Sequence, residues 1–359
     1  MRGVVTEGGA AVLVDVPIPI PAEGHLLVRV QTCAVNRLDI LQSTGKYPPP
    51  KDAGPVLGVE ICGTIVSIGP GCRGSWVEGE QVIALVTGGG YAEFCVSDER
   101  TTWRNTWPEL SLSQLCAIPE AMMTSYQLLF LVANVRHGET ALLHAAASSI
   151  GQALIQMCVR KGVRVLATCR SPDKAALCAR LGASEVIVTD SAGGGGFADK
   201  VKAATKGQGV QHVLCPVGDA YFGENLDSLA VDGRYTLYGN LSGSAEQPEQ
   251  LGSGVLSRLL AKRIALLPST LRGRSPDYKA TLAAALEEDE DCGLSAIGNG
   301  DGQLKIEVDD VFSLESFAEA HAKMRSNSNT GKLCLTVTQT ADAIEFFRGE
   351  LERVQERYK

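Results

Sequence analysis

Between Thr140 and Tyr238 the chain alternates short apolar runs with helically spaced segments, and this alternation constrains the fold more than any other feature. Thr140–Ala147, Val163–Cys169, Glu185–Thr189, Val210–Val217 and Arg234–Tyr238 read as strands. Ile150–Lys161, Asp173–Leu181, Phe197–Ala204 and Phe222–Ala230 read as the helices between them. Ser171-Pro172 supplies N-terminal chemistry for the second helix, with a capping hydroxyl followed by a residue whose missing N–H costs nothing there. Near-continuous apolar strands separated by helices imply a parallel sheet covered on both faces. Right-handed crossovers then build an α/β, doubly wound nucleotide-binding domain.

The sequence before this region has a different texture. Val4–Thr6, Leu26–Thr32, Gly63–Ile68 and Gln81–Leu85 are short β-type runs. They are punctuated by Pro17-Ile18-Pro19, Pro48-Pro49-Pro50, Gly69-Pro70-Gly71 and Gly88-Gly89-Gly90. Such punctuation predicts a compact β-rich unit over the first ~120 residues. Helices are expected over Ser111–Ala117 and Thr124–Asn134. Ala265–Leu271 reads as a further strand, Tyr278–Leu286 and Phe317–Arg325 as helices, and Lys332–Thr338 as a last strand. Glu287–Asp291 reads as a solvated acidic surface, Gly193–Gly196 and Ser295–Gly302 as glycine-rich loops, and 341–359 as an amphipathic helix. A length of 359 residues fits two domains at about 150 residues each.

Charge and cysteine usage narrow the function classes. A hydrophobic fraction of 45% and a formal charge of -8 describe a globular, acidic chain. That composition argues against disorder and against a phosphate-backbone partner. No apolar run is expected to span a bilayer, and the N-terminus lacks signal-peptide organisation. The eleven cysteines form no C-x-x-C pair and sit mostly among apolar neighbours. They read as buried free thiols in a reducing, cytoplasmic setting.

One turn carries cofactor chemistry. His144 to Gly151 ends the first strand of the alternation and opens a helix, with Ala145, Ala147, Ser148, Ser149, Ile150 and Gly151 as its small or helix-opening residues. Small residues let the backbone approach a pyrophosphate at a helix N-terminus, where unpaired N–H groups and the helix dipole favour anions. The spacing is a looser version of the usual glycine fingerprint, and an ordinary strand–helix turn is the alternative reading of the motif alone. At the end of the second strand, Thr168-Cys169-Arg170-Ser171 holds no acid for ribose hydroxyls. Arg170 and Lys174 can pair with a 2′-phosphate instead, which predicts NADPH over NADH.

These residues and the N-terminal unit together resemble the medium-chain dehydrogenase/reductase superfamily, in its zinc-free quinone oxidoreductase branch. The segments that carry the resemblance are Ala34-Val35-Asn36-Arg37-Leu38-Asp39, Leu57-Gly58-Val59-Glu60-Ile61-Cys62-Gly63 and Ile118-Pro119-Glu120-Ala121-Met122-Met123-Thr124. Asp232-Gly233-Arg234-Tyr235-Thr236-Leu237-Tyr238-Gly239 and Thr330-Gly331-Lys332 add to it. The resemblance implies a GroES-like catalytic domain over residues 1–121, completed by 271–359, and a Rossmann domain over 122–270, with the active site between them. Zinc-dependent relatives have Cys where this chain has Asn36 and His where it has Val59, so no metal is expected. Without a Lewis acid, hydride transfer to a conjugated acceptor, a quinone or an enone, is easier than alcohol oxidation.

By the same resemblance Asn36 and Tyr47 face the substrate, with Tyr47 a donor to the developing oxyanion. Thr124 approaches the nicotinamide or its ribose, Gly239, Asn240 and Leu241 lie beside the carboxamide, and Lys332 and Asn327 reach the cofactor. The ordinary alternatives are a surface turn for Tyr47, a turn former for Asn36 and a solvated edge-strand cation for Lys332. The chain departs from the family pattern at Ser149, Thr189 and Cys215, where Gly, Tyr and Asp are usual. Two other readings of function stay open at this point: an alkenal or enone reductase, and a low-turnover, NADPH-binding structural or RNA-binding protein of the zeta-crystallin type. Ile264–Ser269 lies where family members pair sheets across a two-fold axis, so a homodimer is expected.

Overall fold

The computed structural model describes residues 1–51, 53–189, 196–242 and 254–338. The expected helix over 341–359 and most of Gly193–Gly196 lie outside the described residues. The chain divides into two compact units, Met1–Pro119 with the segment from Val308 onward, and Glu120–Glu307.

The first unit contains strands β1 (Arg2–Glu7), β2 (Ala10–Asp15), β3 (His25–Val35), β4 (Glu60–Ile68), β5 (Gln81–Leu85), β6 (Phe94–Asp98) and β7 (Thr102–Arg104), with helices α1 (Arg37–Ser43) and α2 (Leu112–Cys116). β1 and β2 form a hairpin of their own. The others join a sheet ordered β14-β15-β3-β4-β5-β7, with β6 also on β3. The two strands new to this list are β14 (Val308–Ser313) and β15 (Lys332–Thr336). β3 is the organising strand: Leu26, Val28 and Val30 and, past a register shift, Cys33 and Val35 enter a core shared with Val4, Leu57, Ile61, Ile65, Val82 and Leu333. β15 pairs with β3 in antiparallel register, Leu333 against Val35. The pairing places the residue before it, Lys332, at the end of β3 where α1 begins. A strand at β14 was not expected from the sequence, because Val308-Asp309-Asp310-Val311 is too acidic to read as one.

α3 (Ile118–Tyr126) begins two residues before the boundary and carries the chain into the second unit, running on into a π-helical stretch, Gln127–Ala133. The longer stretch Leu112–Ala133 is apolar enough by length and composition to cross a membrane, which corrects the expectation that no run approaches that length. Its most apolar window is 83% buried inside the protein, so it reads as core helix. The alternation then appears as β8 (Thr140–Leu143), α4 (Ser149–Arg160), β9 (Arg164–Cys169), α5 (Pro172–Arg180), β10 (Glu185–Val188), α6 (Phe197–Ala204), β11 (Val210–Cys215), α7 (Asp219–Ser228) and β12 (Leu229–Leu237). α8 (Val255–Lys262), β13 (Ala265–Pro268) and α9 (Pro276–Glu288) follow, and α10 (Phe317–Arg325) returns to the first unit. The six strands are all parallel in the order β10-β9-β8-β11-β12-β13. Chain order reverses on either side of β8, the topology of a dinucleotide-binding fold, with its crevice at the carboxyl ends beside β8.

The expected boundary at 270/271 falls instead at 307/308. Residues 289–307 are tied to α4 by specific hydrogen bonds. Gln156 Nε2 donates to Lys305 O at 2.8 Å, Glu307 N donates to Gln152 Oε1 at 2.8 Å, and Arg160 Nη1 donates to Asp291 O at 2.7 Å. Cys292, Leu294, Ile297 and Leu304 are buried, so the glycine-rich segment carries anchors as well as exposed turns. All eleven cysteines are free, and all but Cys72 are buried.

Candidate functional site

In the second unit the turn after β8 is built for close approach. Ala145 adopts a left-handed conformation, φ 50°, and Ser148 caps α4 by accepting from Gly151 N at 3.1 Å. A Cβ on Gly151 would lie 2.5 Å from Ala146 O and 2.6 Å from Ala146 Cα. Only glycine lets the helix start this near the strand, the role of the last glycine in dinucleotide fingerprints. Ser149 and Ile150 are the first residues of α4; N–H groups there have no intrahelical acceptor and point along the helix axis. Ser125 Oγ donates to Ile150 O at 3.1 Å, which brings α3 beside this turn. The neighbouring Thr124 is buried and donates its hydroxyl to Glu120 Oε2 at 2.8 Å.

At the carboxyl end of β9, Arg170 is exposed and makes no ion pair among the described residues. Lys174, on the first turn of α5, is half-buried, and its N–H is capped by Ser171 Oγ. The Cys169 thiol pKa is lowered from its ordinary range, chiefly by a hydrogen bond from Cys178. The loop after β12 packs on the loop after β11. Leu241 N donates to Pro216 O at 3.0 Å, and Asn240 Oδ1 accepts from Asp219 N at 3.1 Å. Gly239 lies 2.9 Å, measured from a notional Cβ, from Pro216 O. The structure thus collects Thr124, Ala147–Gly151, Arg170, Lys174 and Gly239–Leu241 in one unit, most of them at strand carboxyl ends or the turns that follow. A strand–turn–helix whose glycine packs directly on the strand backbone fits a dinucleotide at the α4 N-terminus.

Behind this turn lies a residue without a place in the sequence-level site. His144 is fully buried, with Nδ1 2.8 Å from Thr168 Oγ1 and Nε2 2.7 Å from Asn225 Oδ1. Desolvation lowers its pKa to about 4, so the ring is neutral at pH 7. It is a structural strut between β8, β9 and α7.

In the first unit a polar cluster sits at the junction of β3, β4, α1 and β15. Asn36 follows β3 as the N-cap of α1, and its backbone N–H donates to Asp39 Oδ2 at 2.7 Å. Its side chain turns the other way: Nδ2 donates to Glu60 Oε1 at 2.9 Å, and Oδ1 accepts from Lys332 Nζ at 2.9 Å. Lys332 also donates to Glu60 Oε1 at 2.5 Å, and the two side chains are 1% and 0% exposed. Asp39 is itself 0% exposed and accepts from Tyr91 Oη at 3.2 Å and Gly58 N at 3.3 Å, with His321 Nε2 3.4 Å beyond Tyr91. Asn327, in a left-handed turn, accepts from Arg37 Nη2 at 2.7 Å. Tyr47 is half-buried just after α1.

The structure therefore corrects the edge-strand alternative for Lys332, whose ammonium is buried on Glu60 and Asn36. Glu60, Asp39 and Ser125 were not singled out as site residues. A glutamate opening the otherwise apolar β4 was the available signal, since a fully buried carboxylate requires a partner.

A tetrahedral zinc does not fit these residues. Among the described residues no group of three or more His, Cys, Asp or Glu side chains is placed to hold a metal ion. Cys33 and Cys62 are buried, and desolvation pushes both thiols up, Cys62 to about 12. The carboxylate that could join them is occupied by an ammonium group, which repels a cation.

Residues 22–125 match the family described as alcohol dehydrogenase GroES-like domain, and residues 149–288 match the zinc-binding dehydrogenase family. A quinone oxidoreductase from Rattus norvegicus is 27% identical over 324 residues, 89% of this chain and 92% of that protein. The structure of a mycobacterial quinone oxidoreductase is 30% identical, with a TM-score of 0.74 over 94% of this chain and 99% of that one. A mycobacterial protein solved in complex with NADPH is 28% identical, with a TM-score of 0.79 over 94% of this chain and 100% of that one.

Proposed function

Because the chain belongs to the medium-chain dehydrogenase/reductase family and is an oxidoreductase with a nicotinamide-binding fold, we propose that it reduces quinones with NADPH, by hydride transfer and without a metal. The observation that carries the cofactor reading is the exposed Arg170 just after β9, which makes no ion pair among the described residues, where no acid stands to hold a ribose diol. When bound, the dinucleotide would supply the hydride.

The chain's own groups divide the remaining work. The Ser149 and Ile150 N–H groups hold the pyrophosphate, with the first-turn dipole of α4 behind them. Arg170 and Lys174 hold the 2′-phosphate through charge-assisted hydrogen bonds. Thr124 and the Gly239–Leu241 loop orient the nicotinamide end, and Asn327 closes on the cofactor from the segment after α10. Asn36 and Tyr47 face the acceptor, and the Tyr47 hydroxyl donates to the oxygen on which charge develops. Solvent returns the proton.

A conjugated acceptor suits this site because delocalisation does what a Lewis acid does elsewhere. The relatives named as quinone oxidoreductases support a quinone, and an enone is the competing acceptor. Free thiols throughout the chain support a cytoplasmic setting.

Steady-state oxidation of NADPH by chelator-treated protein, with 1,2-naphthoquinone and with an enone, tests the reading. Turnover faster with the quinone is expected. Turnover with the enone alone, or activity restored only by added zinc, would overturn it.

A further inference from the structure

The cluster around Asn36 has an order that its residues' types do not reveal. The amide has two flip states, and only one is compatible with its neighbours. With Nδ2 on Glu60 and Oδ1 on Lys332, each contact joins a donor to an acceptor. Rotating the amide by half a turn would set oxygen against carboxylate and NH₂ against ammonium. Both contacts would then be repulsive in a setting where the side chains of Lys332 and Glu60 are 1% and 0% exposed. The backbone of Asn36 is fixed independently, by Asp39 from within α1.

We infer that Lys332 and Glu60 are positioning residues for Asn36: their internal ion pair selects one flip state of its amide, and so decides which atom Asn36 offers to the acceptor. The inference rests on the reading of Asn36 as a substrate-facing residue. One N–H of the amide is spent on Glu60, and the other points at Ala34 O, 3.5 Å away. Oδ1 keeps a lone pair after accepting from Lys332. Asn36 held this way presents an acceptor, and the oxyanion donor must come from another group. On this inference Lys332 acts through Asn36, in place of the direct cofactor contact that the sequence led us to expect.

This role separates from a cofactor-binding one, and from a merely structural one, by a double-mutant cycle on quinone reduction. Lys332→Met should lower kcat/KM for the acceptor by about tenfold or more while the Kd for NADPH stays within about twofold. In an Asn36→Ala background the same substitution should have no further effect, because the group it positions is gone. Removing one partner of a buried pair can also cost stability, so Glu60→Leu/Lys332→Met, which replaces both charges by apolar groups, serves as the folding control. It should unfold near the wild-type denaturant midpoint and show the same kinetic loss as Lys332→Met.

An increase of about tenfold in the NADPH Kd with kcat retained would overturn the inference. An equal loss in the wild-type and Asn36→Ala backgrounds would also overturn it. Failure of the functional reading would appear earlier and separately, as absence of quinone turnover in the unsubstituted protein.

Discussion

Ala145 and Gly151 occupy one turn and make opposite demands on it. Ala145 sits at φ 50°, where a Cβ costs about 1–2 kcal/mol. Gly151 lies where an added Cβ would meet the Ala146 backbone at 2.5 Å. Ala145→Gly is therefore expected to raise stability by about 0.5–1 kcal/mol, the strain relieved exceeding the entropy lost. Gly151→Ala should destabilise by about 2 kcal/mol or more and weaken NADPH binding, because the backbone must move to admit the methyl. Urea midpoints of the two variants check both signs, and a Gly151→Ala protein as stable as the original would refute the packing argument. Arg170 makes a further prediction. Arg170→Ala should raise the KM for NADPH by about tenfold and leave that for NADH within about twofold, since only the former carries the phosphate. Equal effects on both cofactors would remove Arg170 from the 2′-phosphate site.

The parallel sheet was legible because its strands are continuous apolar runs and its helices have clear starts. Phe197–Ala204 and Phe317–Arg325 were read with their observed bounds, and α5 was read one residue too far toward the C-terminus at both ends. Elements whose signal is weak were missed. α1 is only seven residues long, and α8 leaves Leu256 and Leu260 74% and 78% exposed, so its apolar face does not look like a core face. The strand–turn–helix after β8 was legible because it is local. The Asn36–Glu60–Lys332 cluster was only partly so, since β3–β15 pairing joins positions 296 residues apart. No spacing rule announces such a contact. β13 is an edge strand with Leu266 41% exposed. We expect a second copy of the chain to cover this edge. Sedimentation at micromolar concentration should give twice the 37.9 kDa chain mass, and Leu266→Lys should shift it toward the monomer. A monomeric wild type would contradict the expectation.

Stability should depend on pH through the buried histidines, of which His144 and His321, one in each unit, are shifted furthest. His144 and His321 both titrate near 4, each lowered first by desolvation. Their ordinary value is 6.5, so the unfolded chain binds more protons than the folded one between about pH 6.5 and 4. Their contribution is present above that window and is lost as pH falls through it. At pH 5 the loss is about 2 kcal/mol for each histidine. The denaturant midpoint should accordingly be lower at pH 5 than at pH 7.5, and equal midpoints would show that neither ring is held neutral by burial.

On the proposed function the same two units divide the chemistry, one carrying the residues proposed to hold NADPH and the other Asn36 and Tyr47, proposed to face the acceptor. The most direct measurement of that division is the rate of NADPH loss at 340 nm, after exhaustive chelation, with 1,2-naphthoquinone as acceptor. The account predicts undiminished turnover at a rate above that with NADH. It is contradicted by protein that binds NADPH and reduces nothing, or that works only once a metal is returned.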